Sequence, residues 1–111
     1  MKKYEIARKI EAWMKKNKLQ TDSRIYFNGN AWNYNSSGVK SIVEDVKATD
    51  FFEYGNNDTI SMSFEGGMYG VMNAYDLPRC NELRDEFEDM LSAFGYYAEL
   101  GNAWNLALYE C

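Results

Sequence analysis

The chain has 111 residues, 46% of them apolar and 16% aromatic, with 12 Lys or Arg against 17 Asp or Glu, a net charge of −5, and no histidine. That length and apolar content support one domain spanning residues 1–111 with a real core and exclude a disordered segment, in which few large apolar groups offset chain entropy. No apolar run approaches the roughly 20 residues that cross a bilayer, and residues 1–18 alternate Lys, Arg and Glu with apolar residues where a secretion signal has an apolar centre, so a cytoplasmic protein is expected.

Ile6, Ala7, Ile10, Trp13 and Met14 fall on one arc of a 3.6-residue helix, predicting a first helix over about residues 3–17. Arg24 to Asn28 is β-branched and aromatic, Asn28-Gly29-Asn30 accepts positive φ, and Ala31 to Asn35 resumes alternation, which predicts a hairpin. Residues 39–48 have apolar positions suited to a helix and β-branched content suited to a strand; they are assigned as strand. Asp50 and Glu53 have capping-box spacing, predicting one helical turn over Phe51 to Tyr54.

Thr59 to Glu65 alternates Ile60, Met62 and Phe64 against small polar residues, the pattern of a half-buried strand. Residues 68–75 fit either a strand or a short helix. Asp76 and Pro78 mark the start of a second long helix over about 78–94, with Leu83, Phe87, Met90, Leu91 and Phe94 as its buried stripe and Gly95 as terminator. Tyr96 to Leu100, a Gly101-Asn102 turn and Ala103 to Tyr109 make a closing hairpin. The expected fold is α+β, an antiparallel sheet of five to six strands with an N-terminal and a C-terminal helix on one face, in the order α-β-β-β-β-α-β-β.

One pentapeptide occurs twice, as Gly29-Asn30-Ala31-Trp32-Asn33 and as Gly101-Asn102-Ala103-Trp104-Asn105. Each copy follows a helical pattern and a strand-like run, so a helix followed by a hairpin is expected twice. Alternation places Trp104 with Leu106 and Leu108, and Trp32 with Tyr34, so both tryptophans are expected in the core. The functional alternative is a cleft lined by Trp32, Trp104 and the neighbouring Asn residues, in a small-molecule binding module.

The absence of histidine removes the commonest general base, the imidazole metal ligand and every Ser-His or Cys-His pair. A carboxylate pair suffices for glycoside hydrolysis, but the acidic residues here fall at solvent-facing helix positions. Asn56-Asn57-Asp58 lacks the further oxygen ligands of a calcium loop, and Gly66-Gly67-Met68-Tyr69-Gly70 lacks both dinucleotide and phosphate-loop spacing. Cys80 and Cys111 are too few for a disulfide framework or a metal knuckle. A non-enzymatic protein with no cofactor and no metal is expected.

Charge is divided unevenly. Residues 1–18 hold seven Lys or Arg against two Glu, a net of +5, and the remainder holds five basic and fifteen acidic residues, a net of −10. Glu82, Asp85, Glu86 and Asp89 follow i, i+3, i+4, i+7 spacing and form a single stripe flanked by Glu88, repelling one another by a few tenths of a kcal/mol per neighbouring pair. Solvation, or salt bridges to the basic first helix, would relieve that repulsion. So would a partner protein whose cations ordinarily hold phosphates. Glu44 and Asp45 are added to this candidate partner-binding set. The basic helix alone fits nucleic acid, but the −10 body opposes phosphate binding.

A small, acidic, histidine-free, aromatic-rich α+β chain with a carboxylate-striped helix resembles the single-domain inhibitors that phages and mobile elements direct against bacterial defence systems, anti-CRISPR proteins in particular. The likeness is of general type and carries over no site residues. It implies an inhibitor of a nuclease complex that covers a basic nucleic-acid channel. Small immunity proteins that neutralise toxins share the same profile.

Overall fold

The computed structural model describes residues 2–74 and 77–111. It is an α+β fold of three helices and a six-stranded antiparallel sheet. The elements are α1 (Lys3–Lys16), β1 (Ser23–Phe27), β2 (Asn30–Tyr34), β3 (Lys40–Glu44), a 3-10 turn (Ala48–Asp50), β4 (Ser61–Phe64), α2 (Gly67–Asn73), α3 (Pro78–Ala93), β5 (Tyr96–Asn102) and β6 (Asn105–Glu110). The strands lie in the order β3-β2-β1-β4-β6-β5.

Pairing register makes the two faces of this sheet chemically distinct. Ile42, Trp32, Ile25, Met62, Leu106 and Leu100 stand opposite one another in turn, giving one apolar row across all six strands. That face carries the core, where Ile25, Phe27, Trp32, Tyr34, Met62, Phe64, Leu106 and Leu108 meet the buried sides of α1, α2 and α3. One residue along, Ser41, Asn33, Arg24, Ser63 and Asn105 form a polar row on the other face, which Asn102 extends across a register irregularity in β5. Side chains alternate between faces with a period of two, so neighbouring rows are committed to opposite sides.

The helices follow from spacing. In α1, Ile6, Ala7, Ile10, Trp13 and Met14 are all buried, and Glu5 in the first turn with Lys15 and Lys16 in the last complements the helix dipole. In α3, Pro78 occupies the first turn, where its missing N–H costs no bond, and Leu83, Phe87 and Leu91 are buried. Gly95, at φ +84°, ends it. Trp13 and Phe87 rings meet at 5.1 Å, joining α1 to α3. The Asp76 expected to cap α3 lies outside the described residues.

Several expectations are corrected. Residues 67–73 form a third helix, whose Met68, Val71 and Met72 fill the core between sheet and α3. A one-sided apolar triplet at i, i+3, i+4 suits a helix, and the element order becomes α-β-β-β-β-α-α-β-β. Only Lys40–Glu44 of residues 39–48 is strand; Asp45 at φ +56° turns the chain out of the sheet. The helical turn falls at Ala48–Asp50 and not at Phe51 to Tyr54, because the Asp50 carboxylate accepts a hydrogen bond from the preceding Lys47 N–H at 2.9 Å. Residues around that turn lie over the polar face, where Ala48 and Phe52 pack on Tyr26 and Ala31.

The repeated pentapeptide adopts two different structures. In the first copy Gly29 sits in the turn at φ +76° with open space around it, and Trp32 is buried in mid-strand. In the second, Gly101 and Asn102 end β5, and the turn falls three residues later in the motif, at Ala103 and Trp104. A side chain at Gly101 would come within 2.5 Å of Asn105 Oδ1 and 2.8 Å of Tyr54 Cβ. The first glycine is there for its backbone freedom and the second for its lack of volume. Trp104 accordingly leaves the core face and lies 36% exposed, edge-on to Phe52 on the polar side.

Candidate functional site

The carboxylate stripe on α3 is fully displayed. Glu82, Asp85, Glu86, Glu88 and Asp89 are all exposed, because burial of Leu83, Phe87 and Leu91 turns the opposite arc of the helix outward. Glu82 pairs with Arg79 at 3.5 Å, one turn earlier on the same helix. Among the described residues, Asp85, Glu86, Glu88 and Asp89 form no ion pair, and no cation of α1 bonds to any carboxylate of α3. Besides the Trp13–Phe87 contact, a polar link uncharged at one end joins the two helices: Arg79 Nη2 donates to Oδ1 of Asn17, the residue that caps the C-terminus of α1, at 3.4 Å.

The stripe runs into a concavity. Glu88 and Asp89, with Ser92, Tyr96, Tyr97, Ala98 and Cys111, line a hollow of about 400 Å³ beside β5. Tyr97 is exposed and Tyr96 half-buried against the core; carboxylates next to an accessible aromatic ring are suited to a guanidinium or ammonium group, which is attracted both by the charge and by the ring face. Tyr96 and Tyr97 escaped the sequence reading, which treated them only as strand formers. The signal was present: two tyrosines directly after a helix whose last turns are acidic.

Glu44 and Asp45 do not join this site. Glu44 ends β3 and Asp45 follows it, at the edge of the sheet opposite to β5, so the width of the sheet separates them from the α3 carboxylates.

A second concavity, of about 510 Å³, opens over the polar row. Its floor includes Arg24, Tyr26, Asn33 and Ser63, and Phe51 and Trp104 contribute aromatic walls. Arg24 Nε donates to Asn33 Oδ1 at 2.8 Å, its guanidinium lies 5.3 Å from the Phe51 ring centre, and the Tyr26 and Ser63 hydroxyls meet at 3.2 Å. The proposed Trp-and-Asn cleft is thus half realised: Trp104 and Asn33 line it, whereas Trp32 faces the core on the other side.

A third cluster is structural. Glu11 of α1 accepts hydrogen bonds from Lys40, with Nζ at 2.8 Å, and from the Tyr34 hydroxyl, while the Lys40 ammonium sits 3.6 Å from the Trp32 ring centre. Burial pushes the Glu11 carboxyl upward, but the bonds from Lys40 and Tyr34 and the charges of Lys40 and Lys15 outweigh it and hold the group below its ordinary value. Tyr34 is raised, first by burial and then by its bond to the Glu11 carboxylate.

Among the described residues, no group of three Cys, Asp or Glu side chains converges as a metal site, and no helix is long and apolar enough to cross a membrane. Cys80 is half-buried, Cys111 is exposed, and both are free thiols. No family model, curated protein or solved structure matches the chain.

Proposed function

We propose that this chain is a non-enzymatic cytoplasmic inhibitor that binds a basic, nucleic-acid-handling protein, of the kind anti-CRISPR inhibitors engage, through the acidic surface of α3. The observation that supports this reading is the row of exposed carboxylates, unpaired beyond Glu82, that continues into the hollow beside Tyr96 and Tyr97. Carboxylates left without internal cations at helical spacing repel one another. A surface of Lys and Arg relieves that repulsion and gains steering at long range. In this arrangement Glu82, Asp85, Glu86 and Asp89 stand in for phosphates, and Glu88 and Asp89 receive a partner side chain in the hollow. Immobilised protein incubated with host lysate tests the proposal by competition. Added DNA or RNA fragments displace the captured protein if it is held through its nucleic-acid channel, and capture indifferent to nucleic acid contradicts the reading.

A second reading, a small-molecule binding module, is favoured by the cleft over the polar row. Donors and acceptors there alternate between two aromatic walls, an arrangement suited to a small polar ligand with a flat face. A thermal-shift screen against metabolites and sugars tests it. A ligand that stabilises the wild type but not Trp104→Ala supports this reading, and the absence of any stabilising ligand counts against it.

A further inference from the structure

The sheet ends at β3 in a strand whose pattern is complementary to itself. Antiparallel ladders bond at alternate residues, and Asn35 N donates to Val39 O at 3.1 Å in the same register that pairs Asn33 with Ser41 and Ala31 with Val43. The main-chain groups of Ser41 and Val43 therefore turn toward β2. Those of Lys40, Ile42 and Glu44 turn outward, away from the sheet. On the helix-bearing face the same three residues present a cation, an exposed aliphatic group and an anion in sequence, with Ile42 58% exposed.

We infer that β3 pairs antiparallel with β3 of a second copy of this chain about a two-fold axis at Ile42, joining two sheets into one of twelve strands. This is the register in which every outward-turned residue meets another outward-turned residue. Ile42 faces its own symmetry mate and exchanges two main-chain bonds with it, and Lys40 faces Glu44 twice. The charge complementarity singles out a second copy as the occupant: reading Lys40-Ile42-Glu44 against its own reverse places opposite charges across the axis on both sides and an apolar pair between them. Lys40 is held at Glu11 and over Trp32, so its position is fixed before the partner arrives.

The other edge lacks these properties. β5 carries a register irregularity between Leu100 and Asn102, which breaks the row of outward groups that a partner strand would need. β3 pairs with β2 over all five residues without interruption, and Asp45 at φ +56° stops it cleanly after Glu44. An edge strand that is regular, exposed and aliphatic at its centre is a template for strand addition. Its charges are not arranged to prevent self-pairing in this register. They repel in the parallel register, where Lys40 would face Lys40.

Sedimentation velocity over a concentration series tests the inference on the full chain. The wild type is expected to pass from a 12.9 kDa monomer to twice that mass as concentration rises. Glu44→Lys, which makes both cross-axis pairs cation against cation, is expected to raise the dissociation constant about tenfold. Ile42→Pro removes an outward N–H that the monomer ladder does not use and is expected to remain monomeric with an unchanged circular dichroism spectrum. A wild type that stays monomeric at the highest attainable concentration overturns the inference, and so does a dimer that Glu44→Lys leaves undiminished.

Discussion

Lys40 of β3 reaches back across β2 to Glu11 of α1, with Nζ 2.8 Å from Oε2, and so ties the edge of the sheet to the helix that covers it. The same carboxylate takes the Tyr34 hydroxyl. Because folding lowers the Glu11 pKa from an ordinary 4.5, this group contributes stability above that value and loses it as pH falls through the lowered one. Tyr34 behaves in the opposite sense. Its pKa is raised from an ordinary 10.0, so its contribution is complete below pH 10 and declines as pH rises above it. Urea midpoints measured against pH are expected to fall at both extremes. Glu11→Gln should lose about 1–2 kcal/mol at neutral pH and show a shallower acid limb than wild type. Equal acid limbs would show that Glu11 does not link folding to pH.

The two tryptophans of the repeated pentapeptide should answer differently to truncation. Trp32→Ala empties a site in the core beside Phe27 and is expected to cost about 3–5 kcal/mol. Trp104→Ala removes a half-exposed ring against Phe52 and is expected to cost about 1 kcal/mol. Chemical denaturation of the two variants decides this. Equal losses would restore the view that the repeat is one structural unit used twice.

Two glycines four residues apart should change stability in opposite directions. A Cβ at Gly66 would meet the Thr21 main chain, and Thr21 Oγ1 at 2.8 Å, so Gly66→Ala should destabilise by about 1–3 kcal/mol. Gly70 lies in α2 with nothing within 4 Å of the added atom, and Gly70→Ala should stabilise by about 0.5–1 kcal/mol through helix propensity. Thermal melts of both variants provide the check.

What could be read in the chain was what periodicity encodes. Ile6 to Met14, Leu83 to Leu91 and the alternation at Ile60, Met62 and Phe64 specify their elements because each repeats at the period of its own geometry. Residues 68–75 were ambiguous because so short a span fits both periods. Strand order gave no local signal, so nothing in the sequence placed Glu44 and Asp45 across the sheet from Glu82. The polar row was latent in the alternate positions Arg24, Asn33, Ser41 and Ser63, but only register aligns them. The pentapeptide misled for a plain reason: identical letters met different neighbours. Asn102 Oδ1 accepts the Trp104 N–H at 3.1 Å and so closes the turn over Ala103 and Trp104, whereas in the first copy the turn lies before Asn30.

Docking of a basic partner on the acidic surface of α3 is decided by calorimetric titration of that partner with wild type and with the variant carrying Glu82→Lys, Asp85→Lys, Glu86→Lys and Asp89→Lys. All four positions are exposed, so the variant is expected to fold, as circular dichroism will show. Wild-type affinity is expected to weaken steeply with added salt, and the folded variant is expected to show no measurable binding. Undiminished binding by that variant would show that the partner docks elsewhere.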